Sequence, residues 1–327
     1  MSVLRNGLKT SYVPGKWLPR ALLKAAAVII CVMTAVFFII RIVPGDPAKM
    51  ILGQYATPEA IAAMHHQLGL DMPLQTQFLR FTKNVFLHGD TGTSIVYHVS
   101  AKSLIMSAAP VTLLLIAMAA LITVVLAPVL AIAAATHKDT FLDQIIRVLP
   151  AITLGMPVFW IGILLILFFS IHLGWFPAGG IQPGAAGLLQ SLVLPAVTVA
   201  FSQIPSLVRS LRVQILEVLE SEFVVMLKAA KVPYRTILFR HVLHNAALPT
   251  IMLFGVNVSY LMGGSLVIEQ VFGIKGIGSL LFTSIANRDF PVIQGVAFYC
   301  AVSVVIISFL IELAARRFEP VKSGGGD

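Results

Sequence analysis

The fold class this sequence predicts is an all-α membrane protein with six transmembrane helices and a helical external loop after the first of them. Three observations predict it. The 327 residues are 58% hydrophobic and only 11% charged, and their mean hydropathy is +0.92. A soluble domain carries about a quarter charged residues, so these side chains are too few to cover a water-facing surface. The apolar residues also gather into six runs close to the roughly 20 residues that a helical span needs. Two intervening segments, in contrast, are long and patterned enough to fold outside a bilayer. Intrinsic disorder needs low hydrophobicity and is excluded.

The first run, Ala25–Ile40, ends at Arg41, whose long stem suits it to snorkel. No small-residue cleavage site follows, which argues against a removable signal peptide. An external loop over about 43–102 comes next. Within it, Pro58-Glu-Ala-Ile-Ala-Ala-Met-His-His-Gln-Leu-Gly-Leu70 has helical spacing of apolar residues, with Thr57 as N-cap and Gly69 near the stop. A second amphipathic stretch runs from Leu74 to Phe86.

The second span lies within Ser103–Thr136, which holds no formal charge but carries Pro110 and Pro128. No charged residue occurs between Arg147 and Arg209. That stretch is too long for one span, and Gly174-Trp-Phe-Pro-Ala-Gly-Gly180 with Pro183-Gly184 breaks it into helices at 148–171 and 188–208. The fifth span lies within Ala246–Ile268 and the sixth within Pro291–Ile311.

Six spans put both termini on one side, and positive charge chooses the side. With the N-terminus cytoplasmic, the inner set is Arg5, Lys9, Lys16, Arg20, Lys24, Lys138, Arg147, Arg209, Arg212, Lys228, Lys231, Arg235, Arg240, Arg316, Arg317 and Lys322. These are 16 of the 23 basic residues, against 7 outside. The sequence therefore reads as a multi-pass protein of a bacterial cytoplasmic membrane with both termini inside. Residues 1–21 form a cytoplasmic N-terminal segment, 22–320 the transmembrane domain and 321–327 a tail. The net charge of +9 belongs to loops that fix topology and touch anionic membrane lipid, not to nucleic acid. Cys31 and Cys300 sit inside apolar runs and make no disulfide framework.

The internal loop, about 209–248, is the most informative segment. From Glu217 it reads Glu-Val-Leu-Glu-Ser-Glu-Phe-Val-Val-Met-Leu-Lys-Ala-Ala-Lys231, with acidic residues first and basic residues last, as a helix dipole favours. After Val232-Pro233-Tyr234, a second helix is expected from Arg235 through Leu248 to Pro249. Two short helices joined by a turn beneath a membrane domain make either a docking knob for another protein or an ordinary topogenic loop.

Residues 221–249 resemble the EAA loop of ABC importer permeases, with Ala229-Ala230 as the alanine pair and Leu248-Pro249 as the closing dipeptide. Arg240-His-Val-Leu-His-Asn-Ala246 is similar to the peptide- and nickel-transporting branch. So are Arg41-Ile-Val-Pro-Gly-Asp-Pro47, Leu68-Gly-Leu-Asp-Met-Pro-Leu74 and Gly89-Asp-Thr-Gly-Thr-Ser94. The same holds for Glu269-Gln-Val-Phe-Gly-Ile-Lys-Gly-Ile-Gly278 and Asn287-Arg-Asp-Phe-Pro-Val-Ile-Gln-Gly295. The matches run in order from about residue 22 to 320. Three positions depart from the pattern. The motif glycine is missing, because Lys231 is followed directly by Val232-Pro233 as if one residue were deleted. Lys275 stands where a proline is usual, and Phe318-Glu-Pro320 only weakly echoes the usual ending.

The resemblance implies a type I ABC importer permease architecture and a subunit that imports peptides or a related small solute, with nickel or a metal chelate an open alternative. It further implies a homologous second permease, two ATPase subunits and an extracytoplasmic substrate-binding protein. This chain would hold no cofactor, ATP and Mg belonging to the ATPase subunits. Coupling to them would fall on Glu222, Ala229, Ala230, Lys231, Arg235 and Arg240.

Other constellations are weaker. Gly273, Gly276 and Gly278 follow no strand and lack the lysine of a phosphate-binding loop. His65, His66, His88 and His98 read as solvated loop histidines, not metal ligands. No Ser/His/Asp or Cys/His arrangement points to catalysis, so an enzyme is disfavoured. Asn257, Ser259, Tyr260 and Glu269 are candidates for a translocation path, with interhelical hydrogen bonds or a loop cap as the rival roles. A stand-alone secondary transporter would be favoured by inverted repeats and by charges deep in the spans, and the spans show almost no such charges.

Overall fold

A computed structural model describes residues 17–42, 46–53 and 56–316. The expected segment up to Lys16, Val43-Pro44-Gly45 of the motif after the first span, and Phe318-Glu319-Pro320 with the tail lie outside the described residues. The described chain is helical. Its one extended pairing is an isolated antiparallel bridge, Thr93–Ser100.

Helix α1 (Trp17–Ile42) is the first span. The external loop holds α2 (Pro47–Leu52), α3 (Pro58–Leu68) and α4 (Leu74–His88). Its local signals act as expected. Thr57 Oγ1 accepts from the N–H of Ala60, and Gly69, at φ 66°, ends α3 in the left-handed conformation that glycine adopts without strain. Arg41 turns back along the helix end and donates to the Phe37 carbonyl at 2.9 Å. It lies 3.4 Å from the centroid of the Phe37 ring and donates to Gln77 Oε1 at 2.7 Å. Phe37 in turn meets Phe78 of α4, centroid to centroid at 5.1 Å, so aromatic packing sets the loop against the end of α1.

Among the described residues five helices are long and apolar enough to cross a membrane. They include α1, α5 (Ala101–Thr136), α8 (Gly184–Leu219) and α13 (Phe290–Arg316), with the remaining one beginning at Tyr234. The expected helix at 148–171 is not continuous. It is split between α6 (Phe141–Leu154) and α7 (Val158–Leu165), which continues as a π turn over Ile166–His172. Pro157, at φ −59° and ψ 134°, explains the break. It supplies no N–H and disfavours helical backbone at the residue before it.

Two loop expectations also need correction. Residues 209–219 are not loop, because α8 carries them as a helix beyond the expected fourth span. The helix expected from Arg235 is not a separate knob. It runs from α10 (Tyr234–Thr236) through a π turn (Ile237–Val242) into α11 (Leu243–Val271) without interruption. Only α9 (Glu222–Ala229) stands as a short loop helix. A last short helix, α12 (Ile277–Ala286), precedes α13.

The interior is built on α5 and α8. Ala119, Ala127, Ala131 and Ala134 of α5 are fully or almost fully buried. Lipid tails are as apolar as leucine, so helices in a membrane gain by close approach, and small side chains permit it. At one end Ala127, Ala131 and Ala134 meet Leu207, Leu211 and Ile215 of α8, together with Val224 of α9 and Ile237 of the π turn. At the other end Ala101 and Ile105 of α5 meet Ile277 of α12 and Val292 and Val296 of α13. Large apolar side chains such as Leu121 and Val129 of α5 face outward, as a lipid-exposed surface requires.

Candidate functional site

The short helix α9 is anchored on one side and open on the other. Val224 is fully buried in the α5–α8 core, and Leu227 packs partly against it. One helical turn away, Glu222, Val225, Met226, Ala229 and Ala230 are exposed, Met226 to 70%. Lys231, Tyr234, Arg235, Phe239 and Arg240 continue this exposed surface. The six residues expected to couple to an ATPase are therefore all exposed, and they are spread over α9, the turn after it and the start of the helix that leads into α11.

The turn after α9 accounts for the missing glycine. Lys231 has φ 57°, so it occupies the left-handed conformation itself. Its N–H donates to the Lys228 carbonyl at 3.0 Å, and the Val232 N–H donates to the Leu227 carbonyl at 3.1 Å. These two bonds define a Schellman motif with Lys231 at the glycine position, and Leu227 and Val232 both pack against the buried cluster that holds Val224. No register shift is needed.

At the other end of the molecule, motifs far apart in sequence meet. Glu269 is fully buried, accepting from Thr112 Oγ1 at 2.7 Å and from the Ser279 N–H at 2.9 Å. Thr112 Oγ1 accepts in turn from the Ile277 N–H at 2.8 Å. The carboxylate thus caps the first turn of α12, where the helix dipole favours negative charge. A Cβ at Gly276 would stand 2.6 Å from the Glu269 carboxyl carbon, and one at Gly278 would stand 2.5 Å from the Leu266 Cα. Both glycines are there to let the loop close over the carboxylate.

A second carboxylate, Asp289, is also fully buried. Ser94 Oγ donates to it, as do the Ile95 N–H at 3.1 Å and the Val96 N–H at 3.4 Å. Thr91 Oγ1 donates to the Pro291 carbonyl at 2.6 Å, and Tyr299 OH donates to the Gly89 carbonyl at 2.6 Å. The 89–94 motif and the 287–295 motif are two halves of one latch, which the charge-based topology puts on the external side.

The expected translocation-path residues do not converge. Asn257 Nδ2 donates to Ser206 Oγ of α8 at 3.1 Å. Ser259 donates to the Gly255 carbonyl at 3.0 Å and lies 3.5 Å from Ser308 of α13. Tyr260 is 73% exposed, and Glu269 is buried beneath the first turn of α12. Among the described residues no group of three or more His, Cys, Asp or Glu side chains could hold a metal ion. His65 pairs with Asp46 at 2.8 Å, and that hydrogen bond holds the Asp46 carboxyl below the usual carboxylate range.

The largest omission of the sequence reading is the buried ion pair of Asp143 in α6 and Arg212 in α8. Arg212 donates through Nε at 2.8 Å and through a terminal nitrogen at 2.7 Å. Only the helical spacing of α6, with Asp143 and Ile146 on its inner side, could have hinted at an inward carboxylate.

Comparison with known proteins identifies what this architecture is. Residues 127–323 match the family described as "Binding-protein-dependent transport system inner membrane component", and residues 16–115 match its N-terminal membrane-component family. A protein named as a peptide transport system permease in Brucella suis biovar 1 (strain 1330) is 33% identical over 300 residues, spanning 91% of this chain and 95% of that one. The glutathione transport system permease protein GsiC of Salmonella paratyphi A is 32% identical over 301 residues, spanning 92% and 96%. A chain of the MetNI methionine ABC transporter, solved in inward-facing form, superposes with a TM-score of 0.55 at 16% identity, over 66% of this chain and 97% of that chain. The chain belongs to the binding-protein-dependent transport system inner membrane component family, and its fold is that of a type I ABC importer permease. It is a multi-pass membrane transport permease.

Proposed function

We propose that this chain is one permease subunit of an ATP-driven importer that carries peptides, or small peptide-like solutes such as glutathione, into the cell. The relatives named for peptide and glutathione transport support the peptide class over nickel or a metal chelate. The observation that carries the reading is α9, with Val224 locked into the core and its opposite face bare. A lever of that kind transmits a push from a docked ATPase to α8 and α11, which flank it. Ala229 and Ala230 let the partner's backbone approach closely, and Glu222, Lys231, Arg235 and Arg240 frame the contact. ATP and Mg belong to two partner ATPase subunits. A homologous second permease completes the membrane domain, and a binding protein delivers solute to the external latch. Of the path candidates, Tyr260 has the exposure of a wall residue, and Asn257 and Ser259 align α11 with its neighbours.

Ala230→Glu in the assembled transporter tests this. Ala230 is exposed, so the variant should insert and accumulate normally while dipeptide uptake and ATPase co-purification fall at least tenfold, since overpacking and an unpaired charge at an interface each cost more than about 1 kcal/mol. Glu220→Ala removes only an exposed pair with Lys138 and should be silent. Normal uptake and co-purification with Ala230→Glu would move the coupling site elsewhere.

A further inference from the structure

A cleft of about 800 Å³ lies between α6 and α8. That volume is within the roughly 300–1,000 Å³ of small-molecule sites. Its lining mixes guanidinium groups with branched aliphatic side chains. Along α6 the order toward the membrane is Arg147, then Val148 and Ile152; along α8, which runs the opposite way, it is Arg212 and Arg209, then Val208. On both walls the arginines stand among branched aliphatic side chains, Val148 and Ile152 to one side of them and Ile146 and Val213 to the other. Val148 and Ile152 are each at least half exposed, although no soluble surface needs them so.

The three arginines are not equivalent. Arg212 is committed to Asp143 through two hydrogen bonds. Arg147 and Arg209 are exposed and have no hydrogen-bonded partner among the described residues. Among the described residues the lining holds three arginines and no carboxylate. Asp143, which pairs with Arg212 and also feels the charge of Arg147, offsets one of them, so the cleft keeps a positive excess. Arg147 and Arg209 also bound the charge-free stretch 148–208, whose apolar helices the sequence reads as spans, so a headgroup is within their reach if those spans cross the bilayer. Planar guanidinium groups grip phosphate with paired donors.

We propose that this cleft binds one anionic phospholipid, with its phosphate between Arg147 and Arg209 and an acyl chain against Val148 and Ile152. The wall selects a lipid over a soluble anion, because a free phosphate would leave the aliphatic part in water. A bound lipid would brace the broken α6–α7 segment against α8, where the Pro157 break leaves it without a continuous helix.

The test uses the full chain, purified in neutral detergent with an equal mixture of phosphatidylglycerol and phosphatidylcholine, and counts retained lipid by native mass spectrometry. Wild type should keep one phosphatidylglycerol per chain in preference to phosphatidylcholine. Arg147→Gln with Arg209→Gln should lower that retention about tenfold or more, since each basic residue near a surface contributes about a factor of five. Lys138→Gln, an exposed charge on the neighbouring turn, should leave it unchanged. Equal retention by the double variant overturns the proposal. So does equal retention of phosphatidylcholine, which would mark a non-specific boundary lipid. Displacement by inorganic phosphate would assign the cleft to a soluble anion, and a second protein subunit lost only from the double variant would make it a subunit interface.

Discussion

Asp143 and Arg212, 69 residues apart, form a two-pronged ion pair that ties the short amphipathic α6 to the long α8. Asp143 is fully buried and the Arg212 side chain is 14% exposed. The Asp139 N–H also donates to the carboxylate at 3.1 Å, so both oxygens are used. Removing one partner of a buried pair costs about 3–5 kcal/mol, while replacing both by apolar residues is often neutral. Arg212→Ala should therefore cost about 3 kcal/mol, read as a lowered midpoint in thermal unfolding in detergent. Asp143→Leu with Arg212→Met should recover most of it. A loss in the double variant equal to the sum of the separate Asp143→Leu and Arg212→Met losses would show that the pair is not energetically coupled.

The same pair gives a pH dependence. The Arg212 hydrogen bonds hold the Asp143 carboxyl below the usual carboxylate range. Its folded-state affinity for a proton is therefore lower than in the unfolded chain. The stabilisation is complete above the unfolded value, near pH 4, and is lost as the pH falls through the lower, folded value. Thermal midpoints measured downward from pH 5 should fall more steeply for wild type than for the Asp143→Leu/Arg212→Met variant. Parallel curves would contradict the assignment.

Glu269 predicts a second ordering of variants. Glu269→Ala leaves the Ser279 N–H and the Thr112 hydroxyl without their acceptor and opens a cavity, at about 3 kcal/mol. Glu269→Gln keeps one acceptor oxygen and should cost less. Gly276→Ala should cost about 1–3 kcal/mol, because its methyl would press on the same carboxylate. Protease resistance of the 272–289 segment reports the outcome. If Gly276→Ala is silent, the loop does not close over Glu269 as described.

Lys231 offers a substitution that should stabilise. A non-glycine residue in the left-handed region costs about 1–2 kcal/mol, and glycine returns part of its gain through greater freedom in the unfolded chain. Lys231→Gly should raise stability by about 0.5–1 kcal/mol, and the β-branched Lys231→Val should lower it by more than 1 kcal/mol. Thermal unfolding of the three proteins side by side checks this. A less stable Lys231→Gly would mean that the lysine side chain makes a contact worth more than the strain.

What the sequence discloses about this chain is mostly local. Thr57 and Gly69 mark both ends of α3 because a cap and a left-handed stop act over three or four residues. The long apolar runs of α1, α5 and α13 disclose themselves by length. The break at Pro157 was harder to see, since the residues on either side are equally apolar and the proline sits in a run that hydropathy treats as continuous. The lysine at the glycine position was hidden because residue type argued against it, and only the backbone angle reveals it. The Thr112–Glu269, Ser94–Asp289 and Asp143–Arg212 contacts span 157, 195 and 69 residues. Helices such as α5 are apolar on every side, so periodicity does not say which face meets which partner. The external motifs were recognisable as separate strings of residues, and only the fold shows that two of them close on each other.

Orientation is the last expectation, and it follows from charge. With the N-terminus inside, 16 basic residues lie on the cytoplasmic side against 7 outside. Gln75 on α4 and Lys138 on the α5–α6 turn are both exposed and fall on opposite sides in this arrangement. The native cysteines complicate labelling, because Cys31 is exposed on α1 and Cys300 is partly buried on α13. Both lie within long apolar helices, where a charged, membrane-impermeant maleimide reaches them poorly, and Cys31→Ala with Cys300→Ala removes the ambiguity. In that background Gln75→Cys should label in intact cells, and Lys138→Cys only after permeabilisation. The external latch would then face the incoming solute and α9 would face the cytoplasm, where ATPase subunits reside. Labelling of Lys138→Cys in intact cells, with Gln75→Cys protected, would invert the chain and put α9 out of reach of any ATP-driven partner.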